Sequence, residues 1–344
     1  MITERLIKSE EALEEALSRP SAADVEGARA LGGDLLLLGV GGKMGPSLAR
    51  LAKRACEQAG VSHRIIGVSR FSTSGLAEEL EKAGVEAIGC DLLDAGSLAR
   101  LPEAPNVLFM TGRKFGSTGR ESLTWAMNTL LPAMVAERFR RPRIVAFSTG
   151  NVYPLWPASE AGPAEQDPAG PVGEYAQSCL GRERMFEYYS DKYGIPTVLL
   201  RLNYAIDLRY GVLHDVAQKV RQGAPVDLSM GFVNVIWQRD ANSVALRAFA
   251  RCQSPPLVLN LTGVEKVSIR RVAQQFGEIF GVEPIFAGAE APTALLSNAA
   301  ECARLFGRPE TPLEQMIRWV ARWVEIGGRS LDKPTHYEQR DGRF

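Results

Sequence analysis

Along most of this chain, short apolar runs alternate with amphipathic stretches. The first apolar run, at 34–39, is bounded by glycine, as is typical of a strand buried on both faces of a parallel sheet. The same pattern predicts further strands at 64–68, 85–88, 106–110, 143–147 and 197–201. Helical spacing predicts intervening helices at 46–58, 76–83, 121–138 and 175–193. Strands that alternate with helices of this length predict an α/β fold with a doubly wound parallel sheet.

The segments outside this alternation predict three further parts. Leu6, Leu13 and Leu17 share one side of a helix predicted at 3–18, and a second short helix is predicted at 22–31. We therefore assign 1–33 to a helical extension and 34–202 to the sheet domain. A strand at 257–261 and helices at 268–280 and 311–326 indicate a smaller, mixed C-terminal lobe over 203–330 that forms a substrate cleft. Residues 331–344 are polar and predict a tail.

Composition narrows the possible functions. Lys plus Arg number 40 and Asp plus Glu number 40, so no net charge attracts nucleic acid or acidic membranes. Five separated cysteines without a CxxC pair, and only three histidines, predict neither a metal site nor disulfides, and they fit a reducing cytoplasm. No apolar signal segment opens the chain, and no run is long enough to span a bilayer. We expect a cytoplasmic protein with a small-molecule partner.

A glycine-rich loop follows the first predicted strand and opens a helix. The loop reads Gly39-Val40-Gly41-Gly42-Lys43-Met44-Gly45. Small residues allow a tight turn close to a pyrophosphate, which the N–H groups and positive end of the helix then bind. The alternative is a glycine-rich turn without a ligand. The loop predicts cofactor contacts from Gly39, Gly42, Lys43, Met44 and Gly45.

Two downstream segments complete a family pattern. Phe147-Ser148-Thr149-Gly150-Asn151-Val152-Tyr153 ends the fifth predicted strand, and Tyr175 follows Thr149 by 26 residues. With the glycine loop, these segments resemble the extended short-chain dehydrogenase/reductase family, of NAD-dependent epimerase/dehydratase type, over roughly 34–328. The resemblance implies a Rossmann-type nucleotide-binding domain and possible homodimerisation through the helices at 121–138 and 175–193.

The resemblance also implies catalytic roles. Tyr175 corresponds to the family's general acid/base, Thr149 to the serine that binds the substrate oxygen, and Asn128 to a helix asparagine in the proton relay. The chain departs from the family at Cys179, where a lysine is expected. A phenol has a reference pKa of about 10 and needs a nearby positive charge to act near neutrality.

Two other lysines, and Arg113 beside one of them, are candidates for that charge. Lys192 completes a second YxxxK sequence from Tyr188, but its position five residues before the next strand places it at the far end of the helix. Lys114 follows the fourth strand on the expected cofactor side. We hypothesise that Lys114 partly replaces the missing lysine, the alternative being a solvated loop charge.

Residues at the ends of other strands point to the cofactor. Ser69 and Arg70 stand where NAD-selective sites place an acidic residue, and Arg suits a 2′-phosphate, so NADP is favoured while NAD stays possible. The alternative for Arg70 is a solvated charge. The resemblance places Asp91 and Leu92 beside the adenine. We also expect Thr111 and Cys179 to be near the cofactor.

The substrate is less defined. Asn151, Asn203 and Trp237 are candidate substrate contacts, although a buried role for Trp237 is the alternative. The arginine that nucleotide-sugar epimerases use for the substrate pyrophosphate is absent near Val233, which weakens the case for a nucleotide sugar. We expect an NAD(P)-dependent epimerase, dehydratase or reductase acting at a hydroxyl or carbonyl carbon of a sugar-like molecule. The alternative is a non-catalytic NADP(H)-binding sensor or scaffold.

Overall fold

A seven-stranded parallel sheet forms the centre of the protein. The computed structural model describes residues 7–343. The strands are β1 (Leu35–Leu38), β2 (Ile65–Ser69), β3 (Glu86–Gly89), β4 (Asn106–Phe109), β5 (Arg143–Thr149), β6 (Thr197–Leu202) and β7 (Leu257–Leu261). Their order is β7-β6-β5-β4-β1-β2-β3, and every pairing is parallel. The predicted doubly wound α/β sheet is therefore confirmed.

Helices cover both faces of the sheet and build the second lobe. They are α1 (Glu10–Ser18), α2 (Ala22–Ala30), α3 (Gly45–Ala59), α4 (Leu76–Lys82), α5 (Ala95–Ala99), α6 (Glu121–Trp125), α7 (Leu131–Arg138), α8 (Gly173–Tyr193), α9 (Val212–Gln222), α10 (Gln238–Arg247), α11 (Ile269–Phe280), α12 (Ala300–Phe306) and α13 (Leu313–Glu325). One sheet face packs against α2, α3 and α10, and the other packs against α5, α7 and α8. This double cover explains why the four leucines of β1 are all fully buried.

The predicted helix at 121–138 is interrupted. Between α6 and α7, residues Ala126–Leu130 form a π-helical turn. Such turns are rare and often lie at functional sites. The turn contains Asn128, whose side chain is fully buried. The distortion therefore places an amide in the interior beside α8.

The strand at 257–261 belongs to the main sheet. The sequence assigned it to the smaller lobe, but β7 pairs with β6 from Leu257↔Val198 to Leu261↔Leu202. Helix α10 also packs on α3 of the sheet domain. The predicted lobe at 203–330 thus supplies an edge strand and a covering helix to the sheet. A separate apolar core joins α9, α11 and α13.

Both ends of the described chain differ from expectation. The first helix begins at Glu10, capped by the Ser9 hydroxyl, while positions 3–6 of the predicted helix lie outside the described residues. The predicted polar tail instead packs onto the second lobe, with Thr335 and Tyr337 each only 1% exposed. We call residues 329–342 the C-terminal strap. Its burial was not apparent from its polar composition.

Candidate functional site

The carboxyl ends of the central strands open into a large cavity. Its volume is about 1020 Å³, and its lining combines the glycine loop, the ends of β5 and β6, the start of α8 and the strap. Ligands of open α/β sheets bind at this edge, where the strand order reverses. Here the reversal lies between β1 and β4. The cavity is therefore the candidate site.

The glycine loop is shaped by close backbone approaches. Gly39 has φ +96°, and a Cβ there would lie 2.6 Å from Thr111 Oγ1. A Cβ on Gly45 would strike the carbonyl of Val40, and one on Gly41 would strike the Ser69 hydroxyl. Helix α3 starts directly at Gly45, so its free N–H groups face the loop. The loop has the tight backbone that a dinucleotide pyrophosphate requires.

Lys43 projects from this loop toward the second lobe. Its Nζ donates to the Ala205 carbonyl at 2.8 Å and lies 3.8 Å from the centroid of the Tyr210 ring. Burial lowers the pKa of Lys43 to about 8, Asp207 opposes the shift, and Arg209 and Lys114 add to it. The predicted cofactor residue therefore connects the loop with the opposite cavity wall. Met44 also lines the cavity, while most of its side chain packs into the core beneath.

The ends of β2, β3 and β4 surround the loop. Ser69 is half-buried and accepts a hydrogen bond from Phe71 N, whereas Arg70 is exposed. Asp91 is exposed and its carboxylate accepts from Leu93 N. Leu92 is buried in the core, so its side chain does not face the cavity. Thr111 donates to the Leu38 carbonyl at 3.1 Å and fixes the end of β4 to β1.

Tyr175 and Thr149 meet at the cavity wall. Burial raises the pKa of Tyr175 far above its usual range, nearby Cys179 raises it further, and Arg182 and a hydrogen bond with Thr149 lower it. The Thr149 hydroxyl also lies 3.0 Å from Asn151 Oδ1 and accepts from Asn151 N. All three side chains line the cavity. The structure therefore brings together the predicted acid/base, its hydroxyl partner and one predicted substrate residue.

Cys179 lies beneath this surface. Its side chain is fully buried and packs with Val152 and Tyr153 against Tyr175. Burial raises the pKa of the thiol, while Arg182 and the hydrogen bond with Tyr175 lower it. The thiol is therefore not on the cavity wall in this structure. A cofactor contact of Cys179 stays a prediction.

Lys114 lies on the cavity wall, in the loop that follows β4. Its Nζ donates to the Thr335 carbonyl of the strap at 3.4 Å. Burial lowers the pKa of Lys114 to about 8, opposed by Cys179, Glu338 and Asp215. Lys192, which the spacing argument rejected, is exposed in the last turn of α8. Of these two lysines, only Lys114 lines the cavity.

Arg182 is a cation that the sequence analysis missed. It is 5% exposed on α8 and lowers the pKa of both Tyr175 and Cys179. Its Nη1 donates to the Phe147 carbonyl at 2.7 Å and its Nη2 to Asn128 Oδ1 at 3.0 Å. The sequence feature that could have pointed to Arg182 is its spacing of seven residues from Tyr175, which places both residues on one side of a helix.

The predicted substrate residues separate into two groups. Asn203 lines the cavity, is 3% exposed, and its Nδ2 has no partner among the described residues. Trp237 does not line the cavity; it is 1% exposed and packs against Trp319 with ring centroids 5.3 Å apart. Trp237 therefore has the buried role that the sequence also allowed, because the second lobe needs its ring as core.

The strap is the other part of the site that was missed. Leu331 N donates to the Arg209 carbonyl, and the amide and hydroxyl of Thr335 both donate to Asp215. Its far end packs at Gly173, two residues before Tyr175, where a Cβ would lie 2.5 Å from the Gly342 carbonyl oxygen. The strap therefore closes one side of the cavity.

In residues 7–343, no group of three or more His, Cys, Asp or Glu side chains is arranged to hold a metal ion. Over the same residues, none of the helices has the length and apolar character needed to cross a bilayer.

Comparison with known sequences identifies a family. Residues 35–222, more than half of the chain, match the profile of the NAD dependent epimerase/dehydratase family. No curated protein sequence matches the chain significantly.

Solved structures share the fold at low sequence identity. UDP-glucose 4-epimerase from Thermotoga maritima, solved with UDP-glucose, is 15% identical over 85% of this chain and 98% of its own, with a TM-score of 0.68. UDP-glucuronic acid 4-epimerase from Bacillus cereus, solved with NAD, is 16% identical over 85% and 96%, with a TM-score of 0.70. An epimerase from Methanothermobacter thermautotrophicus is 17% identical over 88% and 96%, with a TM-score of 0.71.

Proposed function

Because the chain belongs to the NAD-dependent epimerase/dehydratase family of enzymes, we propose that it oxidises or reduces a hydroxyl or carbonyl carbon of a sugar-like small molecule. One observation carries the proposal: Tyr175, Thr149 and the glycine loop all line the same cavity. A nucleotide bound on the loop therefore shares the space that a substrate must enter to reach the phenol. Net transfer would make the protein a reductase, and oxidation followed by re-reduction would make it an epimerase.

The chain's residues fit a dinucleotide cofactor. The glycine loop leaves no room for Cβ atoms at Gly39, Gly41 and Gly45, and α3 directs its N-terminus at the loop. A bound nicotinamide cofactor supplies the hydride acceptor and donor. Arg70, exposed directly after β2, would hold a 2′-phosphate. We therefore propose NADP as the preferred cofactor.

Tyr175 would exchange the proton. In oxidation, the ionised phenol oxygen takes the proton of a substrate hydroxyl while the C–H hydride, with its electron pair, leaves for the cofactor and a carbonyl forms. Reduction reverses both transfers. Thr149 would hold the substrate oxygen, because its hydroxyl already lies in the hydrogen-bonded group with Tyr175 and Asn151. Asn203 would contact the substrate with its unpartnered Nδ2.

Lys114 would replace the family lysine on the cavity side. Its ammonium lies close enough to Cys179 to lower the pKa of that thiol. The neighbouring Arg113 backbone is held by Asn128 Oδ1 at 2.8 Å, which fixes the loop. A cation at this wall would bind cofactor or substrate oxygens. If Lys114→Ala changes neither cofactor affinity nor turnover, this role is wrong.

A cofactor-binding protein without turnover is the second candidate. The observation favouring it is Cys179, a buried thiol whose raised pKa keeps it neutral where the family has a cation. A sensor would bind NADP(H) through the loop and would need no proton acceptor. Loss of the Tyr175 hydroxyl separates the two functions, because only the enzyme depends on it.

The first test is titration of the purified protein with NADPH and NADH, followed by nicotinamide fluorescence. Preference for NADPH supports the proposed cofactor, and binding of neither overturns both candidate functions. The loaded protein is then screened against sugars and keto-sugars by nicotinamide absorbance, with Tyr175→Phe beside it. Turnover that Tyr175→Phe abolishes without weakening NADPH binding identifies an enzyme. A cofactor-binding protein that is inactive across the screen favours the sensor.

A further inference from the structure

Arg182 is buried without a compensating negative charge. Its two hydrogen-bond acceptors, the Phe147 carbonyl and Asn128 Oδ1, are neutral, and its Nε has no partner among the described residues. The other buried arginine of this region behaves differently, because Arg201 pairs with the Glu183 carboxylate at 2.8 Å. An unpaired buried charge is strongly unfavourable, so a cation held in this way indicates a functional site in which an anion forms close by.

The groups that surround Arg182 are those of the candidate catalytic centre. At about 100° per residue, Tyr175, Cys179 and Arg182 lie within about 60° of one another around α8. The loop after β4 lies directly against the guanidinium, since a Cβ on Gly112 would be 2.6 Å from Nη2. The strand that carries Thr149 contributes the Phe147 carbonyl. Three elements of the site therefore converge on this one cation.

We propose that Arg182 is a positioning residue that supplies the positive charge needed for Tyr175 to ionise, in place of the lysine missing at position 179. This inference rests on the proposed role of Tyr175 as proton acceptor. The guanidinium acts from behind the phenol, through the protein interior, and does not touch the substrate. The functions of the family lysine are thereby divided, with Arg182 stabilising the phenolate and Lys114 facing the cavity.

Other charged and titratable groups lie near Tyr175 and Arg182. On α8, the Cys179 thiol raises the pKa of Tyr175, and the Glu183 carboxylate raises the pKa of Cys179 while pairing with Arg201. From the loop after β4, Lys114 affects Cys179. Arg182 is the cation that lowers the pKa of Tyr175. Unlike a buried lysine, an arginine side chain does not lose its proton in proteins, so this charge persists at alkaline pH.

The test measures the ionisation of residue 175 directly. Tyr175 is replaced by 3,5-difluorotyrosine, whose phenol ionises at lower pH, and its ¹⁹F resonance is followed against pH in the full chain, with and without NADP⁺. The same titration is made with Arg182→Gln, which keeps hydrogen-bond donors but removes the charge, and with Ser178→Ala on the same helix, which removes an uncharged hydrogen bond with Asn128 and leaves the charge in place. We expect Arg182→Gln to move the midpoint upward by about one pH unit or more, as for loss of an adjacent opposite charge. Ser178→Ala should stay close to the parent.

An unchanged midpoint in Arg182→Gln would overturn the inference, and so would an equal shift in Ser178→Ala, which would indicate a packing role. If Arg182→Gln does not fold, Arg182→Met provides the second variant. It removes the charge without adding a polar group to the interior and should raise the midpoint in the same way. The titration needs no turnover. It therefore tests the effect of Arg182 on residue 175 even if the proposed enzymatic function is wrong.

Discussion

Asn128 holds the backbone of Arg113 from both sides. Its Oδ1 accepts from Arg113 N at 2.8 Å and its Nδ2 donates to the Arg113 carbonyl at 3.0 Å. The same amide contacts Ser178 Oγ and Arg182 Nη2. One side chain in the π-helical turn thus connects the loop carrying Lys114 with the helix carrying Tyr175. The geometry of the site depends on that connection.

Asn128→Leu should therefore be strongly destabilising. The leucine removes all four contacts and leaves buried polar groups unpaired, so we expect a loss of about 3 kcal/mol in the free energy of unfolding, measured with urea. Thr129→Val, in the same turn, removes a single hydrogen bond to the Ser178 carbonyl and should lose about 1 kcal/mol. Equal losses in the two variants would show that Asn128 has no special role.

Restoring the family lysine should not restore a family site. Cys179 is fully buried, and Arg182 follows it by three residues on the same helix. Cys179→Lys adds volume and a second buried cation, so we expect about 3 kcal/mol of destabilisation and no gain in turnover or NADPH affinity. The double variant Cys179→Lys/Arg182→Met removes the repulsion and should recover part of the stability in urea unfolding. Higher turnover in Cys179→Lys alone would mean that position 179 is a simple defect.

The sequence defined the sheet better than the site. Continuous apolar runs such as Leu35–Leu38 predict buried parallel strands, because a strand that is covered on both faces is apolar at every position. The glycine loop could be predicted equally well, because the spacing of its glycines follows from the close approach of backbone segments there. The position of Trp237 could not be decided from the sequence, because an aromatic beside a cleft and one packed on Trp319 have the same local pattern.

Features that depend on contacts between distant residues could not be predicted from the sequence. The role of Arg182 arises from Gly112, Asn128 and Phe147, which lie 70, 54 and 35 residues away in the sequence. The strap looks polar, yet Thr335 is buried because Asp215 satisfies its hydrogen bonds. Neither contact leaves a periodic pattern in its own segment. Such features need the tertiary structure.

Lys114 should make stability depend on alkaline pH. Its pKa is about 8 in the folded protein against 10.5 for the reference lysine, so between these values the unfolded chain binds more protons and the stability contributed by this group rises with pH. Lys114→Met removes the buried charge and should be more stable than the parent by about 1–3 kcal/mol near neutral pH. That advantage should shrink as pH rises from about 8 to 10.5.

The measurement is urea unfolding of parent and Lys114→Met at about pH 7 and about pH 10. Comparing the two proteins cancels the opposing effects of buried tyrosines and cysteines. Lys333→Met is the matched control, because Lys333 is an exposed lysine that lines the same cavity. A difference between parent and Lys114→Met that is the same at both pH values would contradict the assigned burial of the ammonium.

Arg70 should set cofactor preference. It is exposed at the end of β2, next to Ser69, which borders the glycine loop at Gly41. Arg70→Ala removes the charged fork for a 2′-phosphate, so NADPH affinity should fall about ten-fold, equivalent to about 1.4 kcal/mol, while NADH affinity changes little. Nicotinamide fluorescence titration gives both constants. Arg100→Ala, an exposed arginine capping α5, controls for general loss of positive charge. An equal loss of affinity for NADPH and NADH would rule out a 2′-phosphate contact.

The strap should depend on the Thr335–Asp215 contact for its closure of the cavity. The Thr335 hydroxyl and amide donate to Asp215 Oδ2 at 2.6 Å and 2.8 Å, and its carbonyl accepts from Lys114. Thr335→Val keeps the shape but removes the hydroxyl bond to a buried carboxylate, so we expect a loss of about 2 kcal/mol in the free energy of unfolding. Hydrogen exchange of the amides at 331–337 should accelerate. Ser330→Ala, which removes a strap hydroxyl that accepts from Asp332 N, should change neither quantity much. Unchanged exchange in Thr335→Val would mean that the burial of Tyr337 and the hydrogen bonds of Arg340 to Ser229 and Thr293 fasten the strap without Thr335.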